Sequence, residues 1–73
     1  MEERDINTIF PYEKNAKKHP ERQIEQIANS IREFGFNQPV VVDKQGIIIV
    51  GHGRYYAGLL LKRLTVPTLV VDL

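Results

Sequence analysis

Residues 51–54 read Gly-His-Gly-Arg and stand between an apolar run, residues 47–50, and a stretch with helical spacing. That placement suits an anion. Two glycines let the backbone turn sharply and let a ligand approach the main chain. The first turn of a helix leaves N–H groups without intrahelical acceptors and carries a partial positive charge. Arg54 adds a planar, permanently charged fork that matches phosphate or carboxylate oxygens. The expectation is a phosphate pocket at a strand-to-helix corner. The amides of Gly53 and Arg54 would meet the phosphate, beside Gly51, and the Arg54 fork would orient it. No Walker loop can be drawn, since G-x-x-x-x-G-K-[ST] does not occur.

Other residues could join this chemistry. His52 can cap the helix, touch the ligand or act as acid or base. No carboxylate ligands stand beside it, so the sequence supports no metal site. Gln38 can hydrogen-bond a ligand from the start of its strand. Lys14, Lys17 and Lys18 cluster in a polar segment, residues 13–19, which reads as a surface loop: either a phosphate or DNA patch or simply a solvated one. Asn15 in that loop is by default a turn former. Tyr12, Tyr55 and Tyr56 can stack on a base or pack in the core and at its rim. Arg54 itself has a bland alternative, as a solvated residue or a partner for Asp43 or Asp72.

The elements that must position these residues follow from periodicity. Residues 5–9 are a candidate strand with Ile6 and Ile9 as its apolar contacts. Pro11 then breaks regular structure. Pro20 suits the first turn of a helix, with His19 as the cap before it. Ile24, Ile27, Ala28, Ile31 and Phe34 recur at spacings of three and four, a core-facing stripe. Gly35 is a left-handed stop. Val40, Val41 and Val42 form a β-branched run suited to a strand covered on both faces. Residues 43–46, Asp-Lys-Gln-Gly, form a turn into the buried strand 47–50, making a hairpin. After the glycine corner, Ala57, Leu60, Leu61 and Leu64 make a second stripe, which Val66-Pro67 ends. Residues 68–73 are a last strand. The order is β-α-β-β-α-β, and the fold class is α+β: a small mixed sheet with two helices against it.

Composition sets the frame. With 73 residues the chain is one small domain, 1–73, and it reads as cut from a longer protein. An apolar content of 42% and a charged content of 26% are globular values. A net charge of +1 excludes a uniformly basic nucleic-acid coat, so any charge effect is local. The absence of cysteine excludes disulfides, thiolate nucleophiles and zinc–thiolate sites. No apolar run reaches the ~20 residues of a membrane span. The N-terminus is acidic and polar, unlike a signal peptide, and a cytoplasmic protein is expected.

Three blocks together resemble a known family. They are Ile9-Phe10-Pro11-Tyr12 through Asn15; the helix QIEQIANSIREFG, residues 23–35, with Gln38-Pro39-Val40-Val41-Val42; and Ile49-Val50-Gly51-His52-Gly53-Arg54-Tyr55-Tyr56-Ala57 with Val66-Pro67. The last matches the pattern G-x-x-R-x-x-A. Order and spacing are similar to the ParB/sulfiredoxin-like superfamily, and to the ParB N-terminal or "ParB-like nuclease" domain within it. The form GHGRxxA looks most like ParB-like domains that accompany DNA methyltransferases in phages and mobile elements.

The resemblance implies a nucleoside triphosphate at the corner: CTP in chromosome-segregation ParB, where it gates a DNA clamp, and ATP in sulfiredoxins. It places Gly51, Gly53 and Arg54 on the phosphates with Ala57 packed behind, brings Asn15 and the lysine loop near the nucleotide or DNA, and implies prokaryotic or phage origin. Mg²⁺, DNA contact and a homodimer would come with the full-length protein. Two positions depart from the pattern. The partition-type motif has an acid, tied to metal-assisted hydrolysis, where His52 stands, and an arginine where Gly53 stands. Sulfiredoxin places its cysteine at the position of His52, so that reductase activity is excluded here. Two alternatives stand beside nucleotide binding. One is a metal-dependent nuclease or NTPase using His52. The other is a ligand-free protein-interaction module whose glycine corner is merely structural.

Overall fold

The computed structural model describes residues 2–12 and 20–72. Its elements are β1 (Glu2–Asp5), a 3₁₀ turn (Ile6–Thr8), α1 (Glu21–Phe34), β2 (Val40–Val42), β3 (Ile48–Val50), α2 (His52–Leu60) and β4 (Thr65–Val70). The four strands form one mixed sheet in the order β1-β4-β2-β3. β4 lies parallel to β2, with Val40 opposite Thr68, while the β1–β4 and β2–β3 pairs are antiparallel. The α+β class and the expected element order are those observed. Lys14, Asn15, Lys17, Lys18 and His19 lie outside the described residues.

Two apolar clusters hold the layers together. Ile6, Ile9, Val40, Val42, Ile48 and Val66 form the first, and Ala28, Ile31 and Ala57 the second, at the α1–α2 contact. Each fully buried Val or Ile contributes roughly 1.5–3 kcal/mol relative to exposure. Phe36 packs against both clusters, and the Arg63 guanidinium lies 5.3 Å from its ring centroid. A cation over a ring face is attracted by the ring quadrupole, which helps hold this aromatic in place.

Several expectations need correction. The first strand is residues 2–5 rather than 5–9, and residues 6–8 form the 3₁₀ turn. The Asp5 carboxylate accepts from the Asn7 N–H at 2.8 Å, and the Thr8 hydroxyl donates to the Asp5 carbonyl at 2.7 Å. These local bonds divert the chain from the ladder into a turn. Ile6 and Ile9 are nonetheless core residues, as expected. Pro20, not His19, is the N-cap of α1; its carbonyl accepts from the amides of Gln23 and Ile24. Gly35 ends α1 at φ 84°, as its type foretold, but Phe34 is 66% exposed rather than part of the stripe.

The second helix is shorter than its leucine spacing suggests. Lys62 adopts φ 57°; its N–H bonds to the Leu59 carbonyl, and that of Arg63 bonds to Gly58, both at 3.0 Å. This pair is a Schellman motif, so α2 stops before Leu64, which is 83% exposed. Leu60 is also exposed, while Ala57 is fully buried. Val66-Pro67 therefore ends no helix: both belong to β4, which begins at Thr65 rather than at residue 68.

The strand before the corner is an edge strand, not a buried one; Val50 is 54% exposed. Val41 faces Val50 and Val42 faces Ile48, so Ile49 is an extra residue in the ladder. Such a bulge bends the strand and re-aims the segment after it, here the glycine corner. The hairpin turn forms as expected, and Asp43 Oδ1 accepts from the amides of Gln45 and Ile47. A Cβ on Gly46 would meet the Thr8 carbonyl oxygen at 2.5 Å, so only glycine lets the hairpin lie against the 3₁₀ turn. Phe10 then pairs with the hairpin, donating to Gly46 and accepting from Ile48, each at 2.8 Å.

Candidate functional site

Gly51 is the residue on which the corner turns. It is the N-cap of α2 at φ 101°, ψ 26°, a conformation that costs other residues dearly. Its carbonyl accepts from the Tyr55 amide at 3.0 Å and so closes the first helical turn. Among the described residues, the backbone N–H groups of Gly53 and Arg54 meet no acceptor. They are first-turn donors of a nine-residue helix, and the helix dipole adds partial positive charge there. Gly53 is buried: a Cβ on it would lie 2.8 Å from Ile27 Cδ1, the flexible end of a side chain on α1, so the start of α2 packs closely against α1 there.

Arg54 is half-buried, and its Nη2 donates to Gln38 Oε1 on the connection between α1 and β2. It pairs with neither Asp43 nor Asp72. Asp43 caps the hairpin turn, and Asp72 pairs with Lys44 at 3.2 Å. The ion pairs among the described residues are Arg4–Glu2, Lys44–Asp72 and Arg63–Glu3, all without Arg54. His52 Nε2 accepts from the Tyr12 amide at a long 3.4 Å, which draws the segment after Phe10 towards the corner.

An open cleft of about 650 Å³ lies between the corner, α1 and residues 35–38. Ile27, Ile31 and Phe36 give it an apolar wall, and Gln38, His52 and Arg54 line it as well. Among the described residues no Asp or Glu lines it. A cation beside two unsatisfied amides, in a cleft without carboxylates, attracts an anion. Clefts of this size hold small organic ligands. Among the described residues no group of three or more His, Cys, Asp or Glu side chains is arranged to hold a metal ion.

The structure thus brings Gly51, His52, Gly53, Arg54 and Gln38 together. Tyr55 stands outside the cleft: it packs against the first cluster, with the Tyr56 ring edge-on at 5.3 Å. Burial and, secondarily, Tyr56 push the Tyr55 hydroxyl above its usual pKa. The apolar wall is the part of the site that sequence reasoning missed. Ile27 and Ile31 sit on the α1 stripe and serve both core and cleft, so their spacing signals only the first role.

Residues 2–73 match the ParB N-terminal domain family. The Escherichia coli (strain K12) protein YnaK, described as containing a ParB-like nuclease domain, is 41% identical over 69 residues, covering 94% of this chain and 79% of YnaK. A crystal structure of C-terminally truncated ParB from Caulobacter crescentus, a chromosome-partitioning protein complexed with CTP-γ-S, superposes with a TM-score of 0.86 at 28% identity. The match covers 99% of this chain and 44% of that one, so the chain spans less than half of that ParB. Sulfiredoxin from Arabidopsis thaliana superposes with a TM-score of 0.83 at 19% identity, covering 96% of this chain and 82% of that one. The last likeness is one of fold alone. No described helix is long and apolar enough to cross a membrane.

Proposed function

This chain belongs to the ParB N-terminal domain family, and from that premise we propose that it binds a nucleoside triphosphate in the cleft at its glycine corner. One observation carries the reading. Two amides without acceptors and a guanidinium without a carboxylate converge on a cleft that no described acidic side chain lines. The phosphates sit on the amides of Gly53 and Arg54, and the Arg54 fork orients them. His52 contacts the ligand, and Gln38 acts on it through Arg54. Mg²⁺ travels with the phosphates rather than on a protein ligand set. The apolar wall of Ile27, Ile31 and Phe36 takes the nucleoside.

The CTP-γ-S bound by the structurally similar ParB supports CTP, and ATP is the second candidate. DNA contact and homodimer formation are proposed for a longer protein, in the prokaryotic or phage cytoplasm, with Lys14, Lys17 and Lys18 as a DNA or phosphate patch and Asn15 as a nucleotide contact. The form GHGRYYA supports placement among the methyltransferase-associated domains of mobile elements.

Calorimetric titration of the parent and Arg54→Ala with CTP, ATP and GTP in Mg²⁺ tests this. Loss of a charge-assisted bond of about 1.5–3 kcal/mol predicts roughly ten- to a hundredfold weaker binding in the variant. Equal affinity for parent and variant overturns the assignment.

A further inference from the structure

Gln38 touches no backbone of the corner in the hydrogen bonds among the described residues; its side-chain partner there is Arg54. The contact spans sixteen positions of sequence and joins the α1–β2 connection to the first turn of α2. Pro39 follows Gln38 and narrows its backbone freedom, which fixes where the side chain starts. Arg54 would otherwise be poorly held. It is a long side chain near a positive helix end, and no carboxylate among the described residues pairs with it.

We infer that Gln38 is a positioning residue, a neutral tether that points the Arg54 guanidinium into the cleft without cancelling its charge. The inference rests on the phosphate reading above. The side-chain amide oxygen occupies one of the five guanidinium N–H donors and leaves the others for a ligand. A carboxylate at position 38 would do the opposite. It would pair with the fork bidentately and neutralise the one cation lining the described cleft. An apolar side chain would leave the charge but free the fork, and the cost of ordering it would then fall on ligand binding. Position 38 thus decides, through Arg54, whether the corner accepts a polyanion.

The test uses inorganic tripolyphosphate and Mg-CTP as probes on the parent, Gln38→Met and Gln38→Glu, with Tm measured for each. Gln38→Met should bind roughly two- to tenfold more weakly. Gln38→Glu should bind more weakly still, by about tenfold or more, while its Tm stays equal or rises. A merely structural glutamine would not combine higher stability with lost affinity. In the ligand-free protein, the Arg54 Nε–H signal in ¹⁵N NMR should exchange faster in Gln38→Met than in the parent. Parent-like affinity in Gln38→Glu, or an Arg54 signal unchanged by Gln38→Met, overturns the inference. A parent that binds neither probe overturns the phosphate reading instead, and the ligand-free NMR comparison then decides the tether by itself.

Discussion

A Cβ on Gly51 would stand 3.2 Å from the α-carbon of Val40, so the corner glycine is wedged against the central strand β2 as well as held at positive φ. Both conditions penalise a side chain. Gly51→Ala is expected to lose about 1–3 kcal/mol of stability, a Tm drop of roughly 4–8 °C per kcal/mol in a domain of this size. Urea denaturation measures it. A variant as stable as the parent would show that the corner relaxes freely.

Gly53 behaves differently, because the atom in the way is the end of a flexible side chain. Alanine there gains helix propensity of about 1 kcal/mol and pushes Ile27 Cδ1 aside. Gly53→Ala is therefore expected to fall within about 1 kcal/mol of the parent. Ile27→Val should rescue part of any loss. A double-mutant cycle on the two positions should give a favourable coupling energy; strict additivity refutes the contact.

Charge and shape at position 54 can be separated. Lysine keeps the charge but lacks the planar fork. Arg54→Lys is expected to retain measurable nucleotide binding, weaker than the parent and stronger than Arg54→Ala. Titration in rising salt should weaken all binding forms together, since the attraction is electrostatic. If lysine binds no better than alanine, the guanidinium geometry and not its charge is what the site requires.

Asp43 holds the hairpin by two bonds from one oxygen, to Gln45 N at 2.8 Å and Ile47 N at 3.0 Å. Asp43→Ala strands a half-buried amide and is expected to cost about 1–3 kcal/mol. Asp43→Asn keeps an acceptor and should cost less. Amide exchange at Ile47 and Ile48 reports the loosening directly.

Tyr55 titrates above the usual tyrosine value of 10.0 because burial, helped by Tyr56, disfavours the phenolate. The folded protein thus holds this proton more tightly than the unfolded chain. The stabilisation is complete below pH 10, and it is lost as pH rises from there through the raised folded value. Tyrosinate absorbance should show a late-titrating ring that Tyr55→Phe removes. A curve unchanged by that substitution contradicts the buried environment of this ring.

What the sequence made legible was local. The stripe of Ile24, Ile27, Ala28 and Ile31 names a helix face because 3.6-residue spacing is a property of the helix itself. Residues 43–46 name a turn because Asp43 and Gly46 supply its cap and its positive φ within four positions. The corner was legible for the same reason. The errors arose where tertiary structure intervened. Lys62 ends α2 in a conformation usually left to glycine, so nothing in its type announced the stop. Pro67 lies inside a central strand, where proline is seldom found, so its type points to a terminator instead. The charged residues of β1 show no alternation because an edge strand, paired on one side only, has little apolar face to conceal. The Gln38–Arg54 contact spans sixteen residues, and no periodicity encodes it.

The sheet order has a consequence for synthesis. Among the described residues β1 finds its hydrogen-bonding partner only in β4, and β4 in turn completes the ladder beside β2. β1 must therefore wait, unpaired, until β4 has been made. Closing that long loop is an entropic toll taken late, so a nascent chain halted before residue 65 should expose Val40 and Val42 to solvent and be degraded by proteases that spare the finished domain.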